Sequence, residues 1–129
     1  MTDLLHRDIT DKVLKAFYNV YNKLGFGFLE KVYENALILE LREMNINCER
    51  QKQIKVFYKS KIVGEYYADI LVENKVTLEL KAAEVFVEAN ELQLINYLKA
   101  TEIEVGLLLN FGPKPSFQRK VFQNSKKNP

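Results

Sequence analysis

The sequence is poor in the residues that most often build metal and redox sites. Its 129 residues include one cysteine, Cys48, one histidine, His6, and no tryptophan. A single cysteine excludes an intramolecular disulfide and a cysteine-cluster metal site, and a single histidine excludes a histidine-rich zinc site. A Ser-His-Asp or Cys-His triad would have to use His6, close to the start of the sequence. Any chemistry here therefore has to rely on carboxylates, lysines, tyrosines and amides.

Long apolar runs are also missing. None approaches the ~18–20 residues that a membrane-spanning helix requires. Charges recur every few residues from Met1 to Lys15, so this stretch predicts no signal-peptide core. Hydrophobic residues make up 47% of the chain and charged residues 28%, which is typical of a soluble globular protein. We expect one domain over residues 1–129, cytoplasmic and without a membrane partner.

Positive and negative charges nearly balance, with a formal net charge of +2, but they are unevenly distributed. No acidic residue follows Glu104. A basic segment of this kind suits contact with a nucleic-acid phosphate backbone, and it equally suits a solvated chain end. We expect residues 123–129 to form a basic, flexible tail. The positive residues after Glu104 are Lys114, Arg119, Lys120, Lys126 and Lys127.

The spacing of apolar residues changes along the chain from helical to strand-like. Recurrence every three or four positions predicts helices that end at Leu24, run from about Leu29 to Met44, and run from about Ala89 to Ala100. Alternation or continuous apolarity predicts strands over about 48–58, 62–72, 76–81 and 105–110, with a last edge strand over about 117–122. This order predicts an α/β (α+β) fold, with a mixed sheet flanked by helices.

The hairpin of the second and third strands has a register that its hydrophobic pattern selects. If residues 73–75 form the loop, Ile70 faces Leu78 and the numbers of paired residues sum to 148. A slip by one residue would put Ile70 opposite Glu79. The first register keeps apolar side chains together, so we expect it to form.

This register predicts Asp69 opposite Glu79, with Lys81 on the same face. Two opposed carboxylates repel each other, and one of them has a raised pKa unless a cation lies between them. Lys81 supplies part of that positive charge, and a hard divalent cation with oxygen ligands would supply it better. The pattern is therefore compatible with a metal site or with an ordinary exposed ion pair.

An Asp at the end of one strand and Glu-x-Lys on the next resemble the PD-(D/E)xK nuclease superfamily, here Asp69 and Glu79-Leu80-Lys81. The segment Gly27-Phe-Leu-Glu30-Lys-Val-Tyr33 resembles the Gly-x-x-Glu-x-x-Tyr signature of the GxxExxY proteins. The resemblance extends from about His6 to Phe122 and departs at Tyr21 and Phe26, where the family often has His and Pro. It implies a restriction-endonuclease-like αβββαβ core with an extra N-terminal helix.

The resemblance also implies a metal-dependent nuclease that hydrolyses phosphodiester bonds of DNA or RNA with Mg²⁺ or Mn²⁺. Asp69 and Glu79 would bind the metal, together with the backbone carbonyl of Leu80. Lys81 would orient the attacking water or help to deprotonate it. Glu30, near the start of the second helix, would complete the metal site, although a glutamate there also suits the helix dipole.

Three further residues are implicated by the resemblance, each with a structural alternative. Gln93 and Tyr97 are four residues apart and lie on one helical face, where Gln93 would hold a water or phosphate and Tyr97 would position it or stack on substrate. They equally suit the boundary between core and solvent. Tyr33 would position substrate, or would be a half-buried core tyrosine.

Two functions stay open from the sequence. The intact set Asp69, Glu79, Lys81 and Glu30 favours the nuclease. The alternative is a non-catalytic nucleic-acid-binding or protein-interaction module on a nuclease fold. A chain this small has little surface beyond a catalytic core with which to hold a duplex, so we expect a homodimer or a protein partner in addition to the nucleic acid.

Overall fold

The computed structural model describes residues 5–85 and 87–127, which form three helices, five strands and one short 3-10 helix. The three helices and five strands follow the order that the sequence predicts, with boundaries that differ from the predicted ones by a few residues, and the 3-10 helix was not predicted. The elements are α1 (Arg7–Leu24), α2 (Glu30–Glu43), β1 (Cys48–Tyr58), β2 (Lys61–Val72), β3 (Val76–Lys81), α3 (Glu88–Ala100), β4 (Val105–Phe111), β5 (Pro115–Val121) and the 3-10 helix Asn124–Lys126.

The five strands form one mixed sheet in the order β1-β2-β3-β4-β5. Strands β3 and β4 are parallel, and the other neighbouring pairs are antiparallel. A parallel pair needs a crossover connection, and α3 provides it between β3 and β4. Strand β5 lies at an edge of the sheet, as predicted. The predicted fold class is therefore confirmed: three helices and a mixed sheet form an α+β, restriction-endonuclease-like fold.

The main hydrophobic core lies between the sheet and the first two helices. Helix α1 buries residues at helical spacing, among them Val13, Phe17 and Val20, and α2 buries Leu37 and Leu41. They pack with sheet residues that alternate along β3 and β4. The sheet residues of this core include Ile70, Val72, Val76, Leu78, Leu80, Val105, Leu107 and Leu109.

Helix α3 covers part of the opposite face of the sheet. A smaller cluster there contains Ile54, Tyr66, Ala68 and Leu71, with Tyr97 of α3 packed against it. The ring of Tyr97 stacks on the ring of Tyr66 with centroids 3.8 Å apart. The hydroxyl of Tyr66 is hydrogen-bonded to Thr77 Oγ1 of β3. This contact assigns the face of β3 that carries Thr77 to the side of α3.

The register predicted for β2 and β3 is confirmed. Val72 pairs with Val76, Leu71 with Thr77 and Ile70 with Leu78, so each pair sums to 148. Glu73 and Asn74 in the connecting loop have φ of 53° and 56°. The hydrophobic pattern selects this register because a shift of one residue would exchange the two faces of the strand.

Residues 123–127, part of the predicted tail, contact the body of the domain. Lys127 Nζ donates hydrogen bonds to the carbonyl oxygens of Thr101 (2.8 Å) and Ile103 (2.7 Å), and Asn124 N donates to Glu104 Oε2. Residues 128–129 of the predicted tail lie outside the described residues. Within the described ranges, no helix has both the length and the apolarity needed to cross a membrane.

Candidate active site

The alternation of side chains along β2 is interrupted at Asp69. In a regular strand Ala68 and Ile70 would lie on the same face. Instead, Ala68 packs in the cluster under α3, and Ile70 packs in the main core under α1 and α2. The neighbouring strand has a matching irregularity, since Arg50 pairs with Ile70 and Lys52 with Ala68, while Gln51 has a φ of 50°. Irregularities of this kind redirect side chains and are frequent beside active sites.

The carboxylate of Asp69 replaces a strand partner for β3. The pairing of β2 with β3 stops at Ile70 and Leu78, so the predicted strand pair of Asp69 with Glu79 does not form. Leu80 N donates instead to Asp69 Oδ2 at 2.8 Å. The predicted pairing failed from this pair onward, because it assumed that β2 stays regular through Asp69. The bond still joins the predicted aspartate directly to the Glu79-Leu80-Lys81 segment.

Glu79 and Lys81 project from the end of β3 on the face that α3 covers. They alternate with Leu78 and Leu80, whose side chains belong to the main core, and they share their face with Thr77. Burial raises the pKa of Glu79 to about 8, against which the positive charge of Lys81 acts. Oε1 of Glu79 is buried and has no hydrogen-bond partner among the described residues. A buried oxygen without a donor is costly, and it is one that a cation would satisfy.

Asp69 is half-buried, and its surroundings include a carboxylate that the sequence analysis did not identify. Burial raises the pKa of Asp69, and the hydrogen bond from Leu80 N opposes that rise. The negative charge of Glu34 raises it further, while the positive charges of Lys81 and Lys31 lower it. The acidic neighbour that acts on Asp69 from α2 is therefore Glu34.

Glu34 is a buried carboxylate held by residues of α2 and β1. Its side chain is 7% exposed, and Oε2 lies 2.8 Å from Lys31 Nζ and 3.8 Å from Arg50 Nη1. Gln51 Nε2 donates to Oε1 at 3.2 Å. Glu34 lies one helical turn after Glu30, so helical spacing puts both glutamates on one face of α2, and only their burial distinguishes them.

No hydrogen bond or ion pair among the described residues joins Glu30 to Asp69 or Glu79. Glu30 is the first residue of α2 and is exposed. A carboxylate in the first helical turn complements the partial positive charge of the helix N-terminus. Its position suits the helix-dipole role, and the metal-site role expected for Glu30 stays a prediction.

Tyr33 is fully buried, and its hydroxyl braces the loop between α1 and α2. It donates to Gly25 O at 2.5 Å and accepts from Phe28 N at 3.2 Å. Its ring stacks on Phe111 with centroids 4.2 Å apart. With 0% of its surface exposed, Tyr33 is a core residue, buried more completely than the half-buried alternative, and its burial gives no support to the substrate-positioning role expected for it.

Gln93 and Tyr97 meet on one face of α3, as their spacing predicts. Gln93 Nε2 donates to the Tyr97 hydroxyl at 2.9 Å. Gln93 is exposed and Tyr97 is half-buried by its stack on Tyr66, which in turn is bonded to Thr77 on the Glu79 side of β3. The pair therefore lies on the side of the sheet to which Glu79 and Lys81 project, and its contact with substrate stays a prediction.

The chain leaving β3 is held by an asparagine that the sequence analysis did not single out. Lys81 pairs with Asn110 of β4, and the side chain of Asn110 bonds Ala83 twice. Its Oδ1 accepts from Ala83 N and its Nδ2 donates to Ala83 O, each at 3.0 Å. Asn110 is 2% exposed, so this clamp is part of the interior. It fixes the direction of the chain immediately after Lys81.

The donor set of the site suits a hard cation that keeps part of its water. Asp69, Glu79 and the Leu80 carbonyl offer oxygen atoms, and the Glu79 oxygen lacks a protein donor. In the described part of the chain, no three His, Cys, Asp or Glu side chains gather into one metal-holding group. Mg²⁺ commonly binds through one or two carboxylates and retains several waters, so oxygen donors of this kind suit it.

Comparisons with known proteins agree with this architecture. A family model described as the PD-(D/E)XK nuclease superfamily matches residues 7–121. A comparison with curated proteins gives no significant match. Among solved structures, the crystal structure of SSO0001 matches with a TM-score of 0.55 and 19% sequence identity. That match covers 73% of this chain and 50% of SSO0001, so the chain spans half the length of this relative, and the likeness concerns the fold.

The matched family region begins at the first residue of α1 and ends at the last residue of β5. It therefore contains every element of the sheet, the three helices and the cluster of Asp69, Glu79 and Lys81. Because the family model covers most of the sequence, this chain belongs to the PD-(D/E)XK nuclease superfamily.

Proposed function

We propose that this protein is a metal-dependent nuclease that hydrolyses phosphodiester bonds of DNA or RNA at the cluster of Asp69, Glu79 and Lys81. The observation that carries the proposal is the buried Glu79 Oε1, which lacks a donor and lies at the end of β3 beside Lys81. A structural glutamate would be expected to have a partner, since a buried polar atom without one is destabilising. Superfamily membership supports nucleic acid as the substrate class.

The roles follow from the chemistry of each group. Nucleases of this superfamily generally use divalent metal ions, and a bound metal lowers the pKa of a coordinated water and polarises the phosphate. Asp69, Glu79 and the Leu80 carbonyl would bind Mg²⁺ or Mn²⁺. The ammonium of Lys81 would orient the attacking water and stabilise the negative charge that develops on the phosphate.

Glu34 takes the position in this proposal that the sequence suggested for Glu30. Its charge acts on Asp69, and its contacts with Lys31 and Gln51 hold it beside the irregular part of β2. The negative charge of Glu34 would offset the positive charges of Lys31 and Lys81 that act on Asp69, and Glu34 would in this way act as a positioning residue for Asp69. We also assign the chain to the GxxExxY proteins, on the signature from Gly27 to Tyr33.

The test is cleavage of generic DNA and RNA by the full chain with Mg²⁺, with Mn²⁺ and with EDTA. We expect cleavage only with a divalent ion, and a loss of roughly 100-fold or more in Lys81→Ala, the scale of a lost proton-transfer group. Lys75→Ala is the matched control, because Lys75 is an exposed lysine at the opposite end of β3.

Absence of cleavage with either metal, by a chain that folds, would contradict the nuclease proposal. The non-catalytic binding module on the same fold would then be the better account. Equal loss of activity in Lys75→Ala and Lys81→Ala would show that general positive charge, and not Lys81 at the site, is responsible.

A further inference from the structure

The loop between α1 and α2 exposes two phenylalanines. Phe26 is 46% exposed and Phe28 is 45% exposed, and they alternate with Gly25 and Gly27, whose φ values are 68° and 121°. Glycine adopts positive φ without the strain that a side chain brings, so the loop can present both rings outward. We call residues 25–29 the phenylalanine loop. Two large apolar side chains exposed in one short loop mark a binding surface more often than a single scattered one does.

The phenylalanine loop is fixed to the core. The hydroxyl of the buried Tyr33 bonds both Gly25 O and Phe28 N. The ring of Phe28 packs edge-on against Tyr33 with centroids 6.0 Å apart. These contacts hold Phe28 in place, which reduces the entropy lost when its ring contacts a ligand.

The loop lies at the end of the sheet that carries the candidate site. Tyr33, which braces the loop, stacks on Phe111 at the end of β4. Strand β4 runs parallel to β3, and the residue before Phe111 pairs with Lys81. The helix that follows the loop also provides Lys31 and Glu34, whose charges act on Asp69.

Exposed lysines flank the phenylalanine loop. Lys23 precedes it and Lys31 follows it, and Lys31 Nζ also lies 2.8 Å from Glu34 Oε2. The hydroxyl of Tyr21 bonds the carbonyl oxygens of Gly112 and Pro113, which brings the turn that carries the exposed Lys114 to the end of α1. Glu30 is the exposed acid that adjoins the loop. Lysines beside exposed aromatic rings are the combination that binds a phosphate backbone together with unpaired bases.

We infer that Phe26 and Phe28 form a stacking platform for unpaired bases, so that the protein binds single-stranded nucleic acid beside its site. This inference rests on the proposed function and narrows its substrate class. Every base has a π-face that an aromatic ring can cover, so such a platform needs no sequence preference. Bases inside a duplex already stack on each other, so the platform favours a single strand over the duplex.

Binding is the readout, and it is measured without turnover. The full chain carrying Lys81→Ala is titrated in EDTA against a fluorescent single-stranded oligonucleotide and against the duplex of the same sequence. Phe26→Ala with Phe28→Ala removes the platform in this background. Phe117→Ala is the matched control, because Phe117 is 37% exposed on the edge strand β5.

We expect the double variant to bind the single strand at least about fivefold more weakly, the scale of one lost base–aromatic stack. Duplex binding and the Phe117→Ala control should change less than about twofold. Phe26→Tyr with Phe28→Tyr should restore binding, since tyrosine also stacks. If thermal melting shows that the alanine pair is unfolded, Phe26→Leu with Phe28→Leu keeps the apolar contact with Tyr33 and should still bind more weakly.

Equal weakening of single-strand and duplex binding would overturn the platform, as would a leucine pair that binds like the parent. A parent that sediments as a dimer and a double variant that sediments as a monomer would show that a second copy covers the loop, and this would also overturn it. Because binding is measured without turnover, the platform and the nuclease proposal can fail separately. Cleavage without the expected loss of binding would reject the platform alone, and loss of binding without any cleavage would reject the nuclease alone.

Discussion

A single glutamate determines how the candidate site responds to its surroundings. Glu79 has a buried carboxyl oxygen without a donor, and burial raises its pKa to about 8. The positive charge of Lys81 only partly opposes this rise. Without a bound cation, the carboxyl group therefore favours its protonated form up to neutral pH, and a metal would have to displace that proton when it binds.

The raised pKa of Glu79 predicts that the metal-free protein becomes less stable as pH rises. An ordinary glutamate titrates near 4.5 and the folded one near 8, so between these values the folded protein binds more protons than the unfolded chain. The free energy of unfolding contributed by Glu79 is thus fully present below about pH 4.5 and is lost as pH rises to about 8, on the order of a few kcal/mol.

Glu79→Gln tests this directly, because glutamine cannot titrate. Urea denaturation at about pH 5 and about pH 8 should show a smaller fall in the variant than in the parent. The raised pKa of Asp69 also lowers the free energy of unfolding as pH rises, and it does so in both proteins. The difference between the two falls therefore reports on Glu79. An identical fall in both would mean that Glu79 is solvated and ionised in the folded protein.

Asp69 has a structural role that is separable from metal binding. Its Oδ2 accepts from Leu80 N, and an asparagine oxygen can accept the same bond without a charge. We expect Asp69→Asn to leave the metal-free protein as stable as the parent or more stable, since burial and the charge of Glu34 disfavour the carboxylate. Asp69→Ala should cost about 1–3 kcal/mol, because Leu80 N would lose its partner.

The Asp69→Asn variant also tests whether Asp69 binds the metal. At roughly 100 times the dissociation constant, Mn²⁺ would stabilise the parent by about 2.7 kcal/mol, and this stabilisation should disappear in Asp69→Asn. Thermal melts with and without Mn²⁺ give the comparison. A shift of the same size in parent and variant would remove Asp69 from the metal site.

At the scale of elements, the position of α3 depends on a glycine in β4. A Cβ added to Gly106 would lie 2.8 Å from Leu94 Cδ1 of α3 and 3.2 Å from Thr77 Cγ2 of β3. The first distance is shorter than a van der Waals contact. The side chain of Leu94 therefore packs directly on the backbone of β4, on the face of the sheet that α3 covers.

Gly106→Ala should consequently move α3 away from the sheet and destabilise the fold by about 1–3 kcal/mol, as overpacking does. Gly64→Ala is the matched control, since a Cβ at Gly64 meets nothing within 4 Å. Urea denaturation of both variants gives the comparison. Equal stability of the two would show that Leu94 turns aside and that α3 does not depend on a close approach at Gly106.

At the scale of the whole molecule, the end of the described chain closes against the connection between α3 and β4. Phe122 N donates to Glu104 O, and Lys127 Nζ donates to Thr101 O and Ile103 O. The chain thus returns from the edge strand β5 to the end of α3. These bonds join the segment after β5 to the connection between α3 and β4.

Loss of this contact should lower the stability of the entire domain. Lys127→Ala removes two hydrogen bonds from a charged donor to carbonyl oxygens, so we expect a loss of about 1–2 kcal/mol. Lys126→Ala removes the same charge from an exposed neighbour and should leave the melting temperature unchanged. If Lys127→Ala had the same melting temperature as the Lys126→Ala control, residues 123–127 would not stabilise the domain through Lys127.

The sequence alone determined the order of the elements and the register of the central hairpin. Apolar periodicity distinguishes helices from strands, and a strand whose faces differ in polarity tolerates no slip, so Val72–Val76 to Ile70–Leu78 could be predicted from local pattern. The same pattern put Glu79 and Lys81 on one face of β3 and joined Gln93 to Tyr97.

Only the tertiary structure decided which side chains of other elements lie beside Asp69 and the Glu79-Leu80-Lys81 segment. The change of face in β2 at Asp69 accompanies the positive φ of Gln51 in the neighbouring strand, and the apolar alternation of the sequence contains no sign of it. The choice of Glu34 over Glu30 depends on which turn of α2 faces the sheet, so the two glutamates are equivalent in sequence and differ in burial. Such contacts join residues that are distant in the chain. The apolar periodicity of a helix or strand describes only its own faces and does not specify which residues of another element lie against them.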